Sequence, residues 1–157
     1  MTARVEVALH VAATPQRAFE VFTRETALWW RPNALFGFTP REPGQVSFEG
    51  KQGGRFIETR EGGRIFEIGR ITAWEPGRRL AFTWRQATFA SGQMTQVEVR
   101  FDGVGERTRV TVIHDGWETV PDAHVAKHGM TGVHYLQRHG GWWLALLAGL
   151  SARLAQA

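Results

Sequence analysis

Six strand-like segments follow one another between residues 46 and 115, and the connections between them are short. Most of these connections contain glycine, as in Glu61-Gly62-Gly63, Pro76-Gly77 and residues 102–106. Glycine suits the tight turns of antiparallel hairpins, whereas a parallel pairing needs a crossover of roughly a dozen residues or more. The pattern therefore predicts an antiparallel meander, with strands at residues 46–50, 54–60, 64–74, 79–85, 94–102 and 107–115.

A seventh strand and two short helices are predicted before the meander. Alternate residues from Val5 to Val11 are aliphatic, which is the period of a half-buried strand. Thr14-Pro15 then provides a helix N-cap and a first-turn proline. A second helix is expected over residues 25–30, because a residue that precedes a proline, here Pro32, disfavours the helical conformation.

A long helix is predicted at the carboxyl end, beginning near Met130. Gly140-Gly141 lies within it and costs about 1 kcal/mol per glycine relative to alanine. Close approach to the sheet, space for a ligand, or a helix break would each explain these glycines. The apolar residues of the helix recur at helical intervals, as one stripe: Leu136, Trp143, Leu147, Leu150 and Leu154. The elements together predict an α+β fold, in which a seven-stranded curved antiparallel sheet wraps around this helix as one domain over residues 1–157.

The composition excludes several classes of protein. The chain has no cysteine, which rules out disulfides, thiolate catalysis and cysteine-ligated metal sites. Its net charge of +4 comes with arginines scattered singly through every segment, so a nucleic-acid-binding stripe is not expected. Neither a signal-peptide pattern nor a membrane-length apolar run occurs. We therefore expect a cytoplasmic protein without nucleic-acid or membrane partners.

Several short motifs, in a fixed order, resemble one superfamily. They are Thr14-Pro15-Gln16-Arg17-Ala18-Phe19, Trp29-Trp30, Gly53-Gly54-Arg55-Phe56, the hairpin from Trp74-Glu75-Pro76 to Trp84, Thr108-Arg109-Val110-Thr111-Val112, His114-Asp115-Gly116-Trp117 and Gly141-Trp142. Together they resemble the helix-grip fold of the START-like superfamily, also called SRPBCC or birch-pollen-allergen-like. Within it, the chain is similar to the AHSA-type family, named for the activator of the heat-shock protein 90 ATPase. This superfamily includes lipid carriers, polyketide aromatase/cyclases and co-chaperones, so the resemblance implies the fold and leaves the function open.

A hydrophobic cavity is expected where the sheet curves away from the C-terminal helix. Aromatic walls suit flat or acyl ligands, although the same residues would also serve as an ordinary core. The residues expected to line the cavity are Trp29, Trp30, Phe36, Phe82, Trp84, Val99, Phe101, Val112, His114, Trp117, Trp143 and Leu147.

His114 is the first candidate for a polar group in this cavity, since strand alternation turns it inward near a strand end. It could hydrogen-bond a ligand carbonyl or act as a base, or it could be a structural histidine bonded to backbone or to Asp115. Arg64, Glu67 and Arg70 would place charge in the cavity if their face of the strand points inward. The apolar residues of that strand compete for the same face.

A metal site is not expected, and neither is a cofactor. His124 and His128 stand four residues apart, with His134 nearby, but this is not the spacing of a recognised zinc motif. Gly129 and Gly132 also interrupt any rigid helix there. Surface or loop histidines are the simpler interpretation.

The leading hypothesis for function is non-catalytic binding of a small hydrophobic or amphipathic ligand by a monomer or homodimer. A second hypothesis is an aromatase/cyclase-like or hydrolase-like enzyme that pairs His114 with Arg64 or Arg70. A third is a co-chaperone or stress-response protein with a chaperone partner, which predicts a large exposed apolar patch.

Overall fold

The computed structural model describes residues 4–30, 44–85, 93–117 and 132–155. Within these ranges no helix is long and apolar enough to cross a membrane. The elements of the described chain are, in order, β1 (Val5–Val11), α1 (Pro15–Arg24), α2 (Thr26–Trp29), β2 (Gln45–Phe48), β3 (Arg55–Thr59), β4 (Ile65–Glu75), β5 (Arg79–Trp84), β6 (Thr95–Val104), β7 (Arg107–Asp115) and α3 (Gly132–Ala155). A short 3₁₀ turn (Glu61–Gly63) connects β3 to β4.

The seven strands form one antiparallel sheet in the order β1-β7-β6-β5-β4-β3-β2. Strands β2 to β7 pair as a meander, and β1 joins the sheet beside β7, as in the pairing of Val7 with Val112. The predicted α+β helix-grip architecture is confirmed, with strand ends in the meander that lie within two residues of those expected. The apolar faces of the strands and of α3 form one core.

Helices α1 and α2 bring aromatic side chains over the inner face of the sheet. Thr14 caps α1 as predicted, because its Oγ1 accepts a hydrogen bond from the Arg17 backbone N–H at 3.1 Å. In α2, the Trp29 indole N–H donates to the Val21 carbonyl at 3.1 Å, which fixes the angle between the two helices. Trp30 follows directly and is 2% exposed. It therefore projects into the core from the end of α2.

Helix α3 continues through Gly140 and Gly141, so the possibility of a helix break is wrong. A Cβ atom on Gly140 would lie 3.5 Å from Val7 of β1, which is ordinary van der Waals contact, and one on Gly141 would meet no atom within 4 Å. Gly149 is different, because its Cβ would lie only 2.7 Å from the Trp29 carbonyl oxygen. The close approach that requires glycine is therefore between α3 and α2.

Strand β4 turns its charged residues away from the core. Ile68 and Ile71 are buried, whereas Arg64 and Arg70 are exposed. The Arg70 guanidinium pairs with the Glu67 carboxylate at 3.0 Å on this solvent side. The sequence left open which face of this strand points inward, and in the structure Arg64 and Arg70 face solvent.

Candidate functional site

Four buried polar side chains meet at one end of the inner face, between the sheet and α3. Thr95 begins β6, His114 lies near the end of β7, and His139 and Trp143 lie one turn apart on α3. Each has 0% of its surface exposed. We call these four residues the histidine cluster.

Hydrogen bonds join the members of the histidine cluster. His114 Nε2 lies 2.7 Å from Thr95 Oγ1, and His114 Nδ1 lies 2.8 Å from His139 Nε2. The Trp143 indole nitrogen is 3.2 Å from His114 Nδ1 and 3.0 Å from His139 Nε2. Two imidazoles and an indole therefore converge on a region a few ångströms across.

The positions of the protons follow from what each group can donate. The Thr95 hydroxyl donates to the Trp84 carbonyl oxygen at 3.1 Å, so its oxygen accepts from His114 Nε2–H. In a neutral imidazole the other nitrogen, His114 Nδ1, is then an acceptor. Its single lone pair faces two donors, the Nε2–H of His139 and the N–H of Trp143. The cluster therefore holds one more donor than this acceptor can fully satisfy.

Both histidines are neutral at physiological pH. Burial lowers the pKa of His114 from its ordinary value of 6.5 to about 3. Burial, and secondly the neighbouring His114, hold the pKa of His139 well below 6.5. Removing an imidazolium from water carries a free-energy penalty, which favours the neutral form of each ring. These neutral rings can donate and accept hydrogen bonds.

Tryptophan rings enclose the two imidazoles. The distances between the imidazole centroids and the neighbouring indole centroids run from 4.9 Å to 6.5 Å. Trp30 adds a further layer, 6.0 Å from Trp84 and 5.5 Å from Trp143. The tryptophans in contact with the histidines are Trp84, Trp117, Trp142 and Trp143. The cluster is thus a small polar centre inside an aromatic shell.

The predicted cavity residues are all buried where the structure describes them, and they divide into separate groups. Phe101 packs on Phe19 and Phe22, away from the histidine cluster, and Trp29 packs on Phe22 as well. Phe36 lies outside the described residues. The remaining members are Trp30, Phe82, Trp84, Val99, Val112, His114, Trp117, Trp143 and Leu147, each 2% exposed or less.

Two polar members of the site, Thr95 and His139, were not predicted from the sequence, and the partner of His114 differs from Asp115, which was one of the alternatives considered for it. His114 hydrogen-bonds Thr95 and His139 rather than Asp115. The sequence does contain a signal that His139 faces the core, because it precedes Trp143 by four residues and so belongs to the apolar stripe of α3. Thr95 had none, since a threonine at a strand end is common and carries no motif.

The cavities found at the described residues lie outside the histidine cluster. One of about 400 Å³ lies between α1, α2 and β2, with Arg24, Ser47 and Trp74 in its wall. Another of about 190 Å³ is lined by Arg79 and Glu98 on the solvent side of the sheet. Among the described residues, aromatic rings in contact with one another lie between the sheet and α3, and the predicted open cavity is not confirmed there.

Metal binding finds no support at the described residues, where no three histidine or acidic side chains are grouped to hold an ion. His124 and His128 lie outside those residues, and the placement of the His134 side chain is not described.

The chain belongs to the family described as "Activator of Hsp90 ATPase homolog 1-like protein", whose model matches residues 12–152. No functionally curated protein matches it. Among solved structures it is similar to protein MLL2253 from Mesorhizobium loti, at a TM-score of 0.69 and 17% identity over 98% of each chain. It is also similar to the Aha1 dimer from Colwellia psychrerythraea, at a TM-score of 0.66 and 16% identity over 96% of this chain and 95% of that one. These two likenesses show the fold alone.

A third similar structure is closer in sequence. It is the anthrahydroquino-γ-pyrone synthase Txn09 in complex with the compound SUM, at a TM-score of 0.58 and 29% identity, with 95% of each chain covered.

Proposed function

We propose that this protein binds a small, flat aromatic molecule at the histidine cluster, against the tryptophans of the inner face. The observation that carries the proposal is a fully buried, hydrogen-bonded pair of neutral histidines inside an aromatic shell. A core that only had to be filled would need no polar group there, because aliphatic side chains pack the same space without hydrogen-bonding requirements.

The aromatic shell and the surplus donor have complementary roles in binding. Each 100 Å² of apolar ligand surface removed from water contributes about 2.5 kcal/mol before ordering costs. A ligand carbonyl would accept the N–H of Trp143, whose 3.2 Å bond to His114 is the longer of the two that reach Nδ1. Since the described rings touch one another here, binding requires some of them to move apart, and contacts with the ligand then replace contacts between rings.

The 29% identity to Txn09 favours a flat fused-ring ligand in particular, since that protein is named for an anthrahydroquino-γ-pyrone. It also favours a second candidate function, a cyclase-like enzyme in which one of the two neutral imidazoles acts as general base. A pair of His114 with Arg64 or Arg70, as in the second hypothesis from the sequence, does not serve here, because both arginines are exposed. In this second candidate function, the general base would be His114 or His139.

Native mass spectrometry of freshly purified protein tests for a bound molecule directly. A titration with 2,6-dihydroxyanthraquinone, followed by quenching of tryptophan fluorescence, tests the site. We expect saturable quenching, and roughly tenfold weaker binding in Trp143→Phe, which keeps a ring and loses the donor. Leu144→Ala, 40% exposed on the same helix, is the matched control. Absence of both a co-purifying molecule and saturable quenching would refute the proposal.

The same experiments separate the enzyme from the binding protein. A molecule recovered from the native complex, or a synthetic precursor of it, would change mass or absorbance on incubation with catalytic amounts of an enzyme. It would stay unchanged with a binding protein. We expect His139→Gln to abolish such turnover while leaving detectable binding.

A chaperone partner or a homodimer is a third proposal, supported by the family and by the Aha1 dimer it resembles. The large exposed hydrophobic residues of the described chain are spread over separate elements: Leu28, Ile65, Met94, Val104 and Leu144. This distribution gives less support to a protein-docking patch than the histidine cluster gives to a ligand site. Light scattering after size exclusion would decide between monomer and dimer.

A further inference from the structure

The cavity of about 400 Å³ between α1, α2 and β2 lies at the edge of the sheet and is separate from the histidine cluster. Buried side chains line it, among them Thr23, Val46 and Phe48. The half-buried Trp74 and the exposed Arg24 also lie in its wall. Pockets that bind small molecules usually measure about 300–1,000 Å³, so this cavity is large enough for a ligand of one or two rings.

Arg24 gives this cavity a positive charge that no described side chain balances. Among the described residues of its wall, none is an aspartate or a glutamate, and no described residue forms an ion pair with the Arg24 guanidinium. Glu25 is the next residue along the chain, but its carboxylate pairs with Arg17 at 3.6 Å and with Arg153 at 2.9 Å. An arginine without a protein partner can form charge-assisted, bidentate hydrogen bonds with the carboxylate of a ligand.

The open edge of β2 adds backbone donors to the same cavity. Among the described strands, β2 is the last of the sheet and has a neighbour on one side only. The Glu49 N–H donates to the Arg55 carbonyl oxygen of β3 at 2.8 Å. Because alternate residues of an antiparallel strand bond to the same neighbour, the backbone of Ser47 also faces β3, whereas the N–H and C=O groups of Val46 and Phe48 point to the open edge. Both of these residues line the cavity, so their N–H groups can donate to an anion there.

Trp74 supplies an aromatic surface beside these polar groups. Its ring packs edge to face on Phe19 of α1, with the ring centroids 5.1 Å apart. Gly50, which also lines the cavity, lies against the six-membered part of the indole, since a Cβ atom there would be 3.7 Å from Trp74 Cζ2 and Cη2. Because glycine has no side chain to cover it, this part of the indole can pack against a flat ring of a ligand.

We propose that the cavity between α1, α2 and β2 is a second binding site, and that it takes a small aromatic carboxylate. The Arg24 guanidinium and a backbone N–H of β2 bind the carboxylate, and the ring of the ligand lies against Trp74. The histidine cluster is less suited to such a ligand, because its histidines are neutral and an anion without a counter-charge is costly to desolvate. This second site uses no residue of the histidine cluster and does not depend on the proposed function.

Two probes of nearly the same shape test the preference for an anion: 2-naphthoate and the neutral 2-naphthamide. In isothermal titration calorimetry, we expect the wild-type protein to bind 2-naphthoate about tenfold more tightly than the amide. Arg24→Gln, which keeps a polar side chain and loses the charge, should reduce that ratio to about threefold or less. The matched control is Arg64→Gln, which removes an exposed arginine just before β4 and should leave the ratio unchanged.

The indole N–H resonances in a ¹H–¹⁵N correlation spectrum locate the bound 2-naphthoate. We expect the resonance of Trp74, assigned by its absence in Trp74→Phe, to shift during the titration, and that of Trp143 to stay in place. Gly50→Leu, which puts a side chain against the Trp74 ring, should weaken both probes by the same factor and leave their ratio unchanged.

Four results would each overturn the inference. They are no binding of 2-naphthoate, equal affinities for the acid and the amide in the wild-type protein, a ratio that Arg24→Gln leaves unchanged, and a shift of the Trp143 resonance in place of the Trp74 resonance. The histidine cluster is tested with a different probe and different variants, so either proposal can fail while the other stands.

Discussion

Acidification from pH 7.5 to pH 5 is expected to destabilise the protein, because the histidine pair must stay neutral while it is buried. In the unfolded chain His114 takes up a proton below its ordinary pKa of 6.5, whereas in the folded chain burial lowers that pKa to about 3. The unfolded state therefore binds more protons across this interval. The stabilisation is complete above pH 6.5 and is lost as the pH falls.

The size of the loss follows from the width of the interval. One pKa unit corresponds to about 1.4 kcal/mol. At pH 5, about 1.5 units below the unfolded pKa, His114 alone lowers the free energy of unfolding by about 2 kcal/mol. For a chain of this size, that shifts the melting temperature by about 4–8 °C. His139 acts in the same direction, because its pKa is also lowered.

The Glu49 carboxylate, which pairs with Arg55, does not obscure this interval. The largest resolved carboxylate shift belongs to Glu49, whose pKa is lowered to about 2 by its hydrogen bonds with Arg55. Its contribution to stability is present above the ordinary pKa of 4.5 and is lost only below it. Titration of Glu49 therefore does not contribute between pH 5 and pH 6.5.

The assay is urea unfolding, followed by tryptophan fluorescence at several pH values from 5 to 7.5. His114→Gln is expected to reduce the slope of unfolding free energy against pH by about 1.4 kcal/mol per unit, the effect of one proton. Thr72→Val, on the exposed face of β4, is the control and should keep the wild-type slope. An unfolding free energy that is equal at pH 5 and pH 7.5 in the wild-type protein would refute the buried neutral pair.

Two further predictions concern stability at neutral pH and use the same unfolding assay. Gly149→Ala is expected to destabilise by about 2 kcal/mol or more, because its Cβ would lie 2.7 Å from the Trp29 carbonyl oxygen. Gly141→Ala, whose Cβ meets nothing within 4 Å, should stabilise by about 0.5–1 kcal/mol, and equal effects would contradict the packing described for α3. Thr95→Val should cost about 2 kcal/mol, since both hydrogen bonds of its buried hydroxyl are lost. Thr72→Val, on the exposed face of β4, should change little, and comparable losses in both variants would contradict the network.

The fold was predictable because its main signals are local in the sequence. Strand alternation, short glycine turns and the Thr14 cap each depend on neighbouring residues. The inner face of β4 was not predictable, and the reason is a bulge. Phe56 pairs with Gly69 while Ile57 pairs with Glu67, so β4 carries one extra residue at this point. Such an insertion shifts the alternation of a strand, and a period of two cannot reveal which side is buried.

The site was only partly predictable, because its hydrogen bonds join residues far apart in the chain. Strand alternation was enough to turn His114 inward. Its partners come from β6, 19 residues earlier, and from α3, 25 residues later. The rotation of α3 against the sheet decides whether His139 reaches β7, and helical periodicity fixes only which residues share a stripe. Sequence proximity alone favours Asp115 as a partner of His114, because it is the adjacent residue, and it gives no information about residues 19 or 25 positions away.

The two ends of the core differ in a way that folding alone does not require. At the end near α1, Phe19, Phe22 and Phe101 pack edge to face without any buried titratable group. At the other end, the same sheet and the same helix enclose His114 and His139, two of the three buried titratable side chains of the described core. Groups of this kind carry a desolvation cost that aliphatic residues avoid, and the histidines add a sensitivity to acid. Because one end folds without them, their concentration at the other end is better explained by a ligand than by stability.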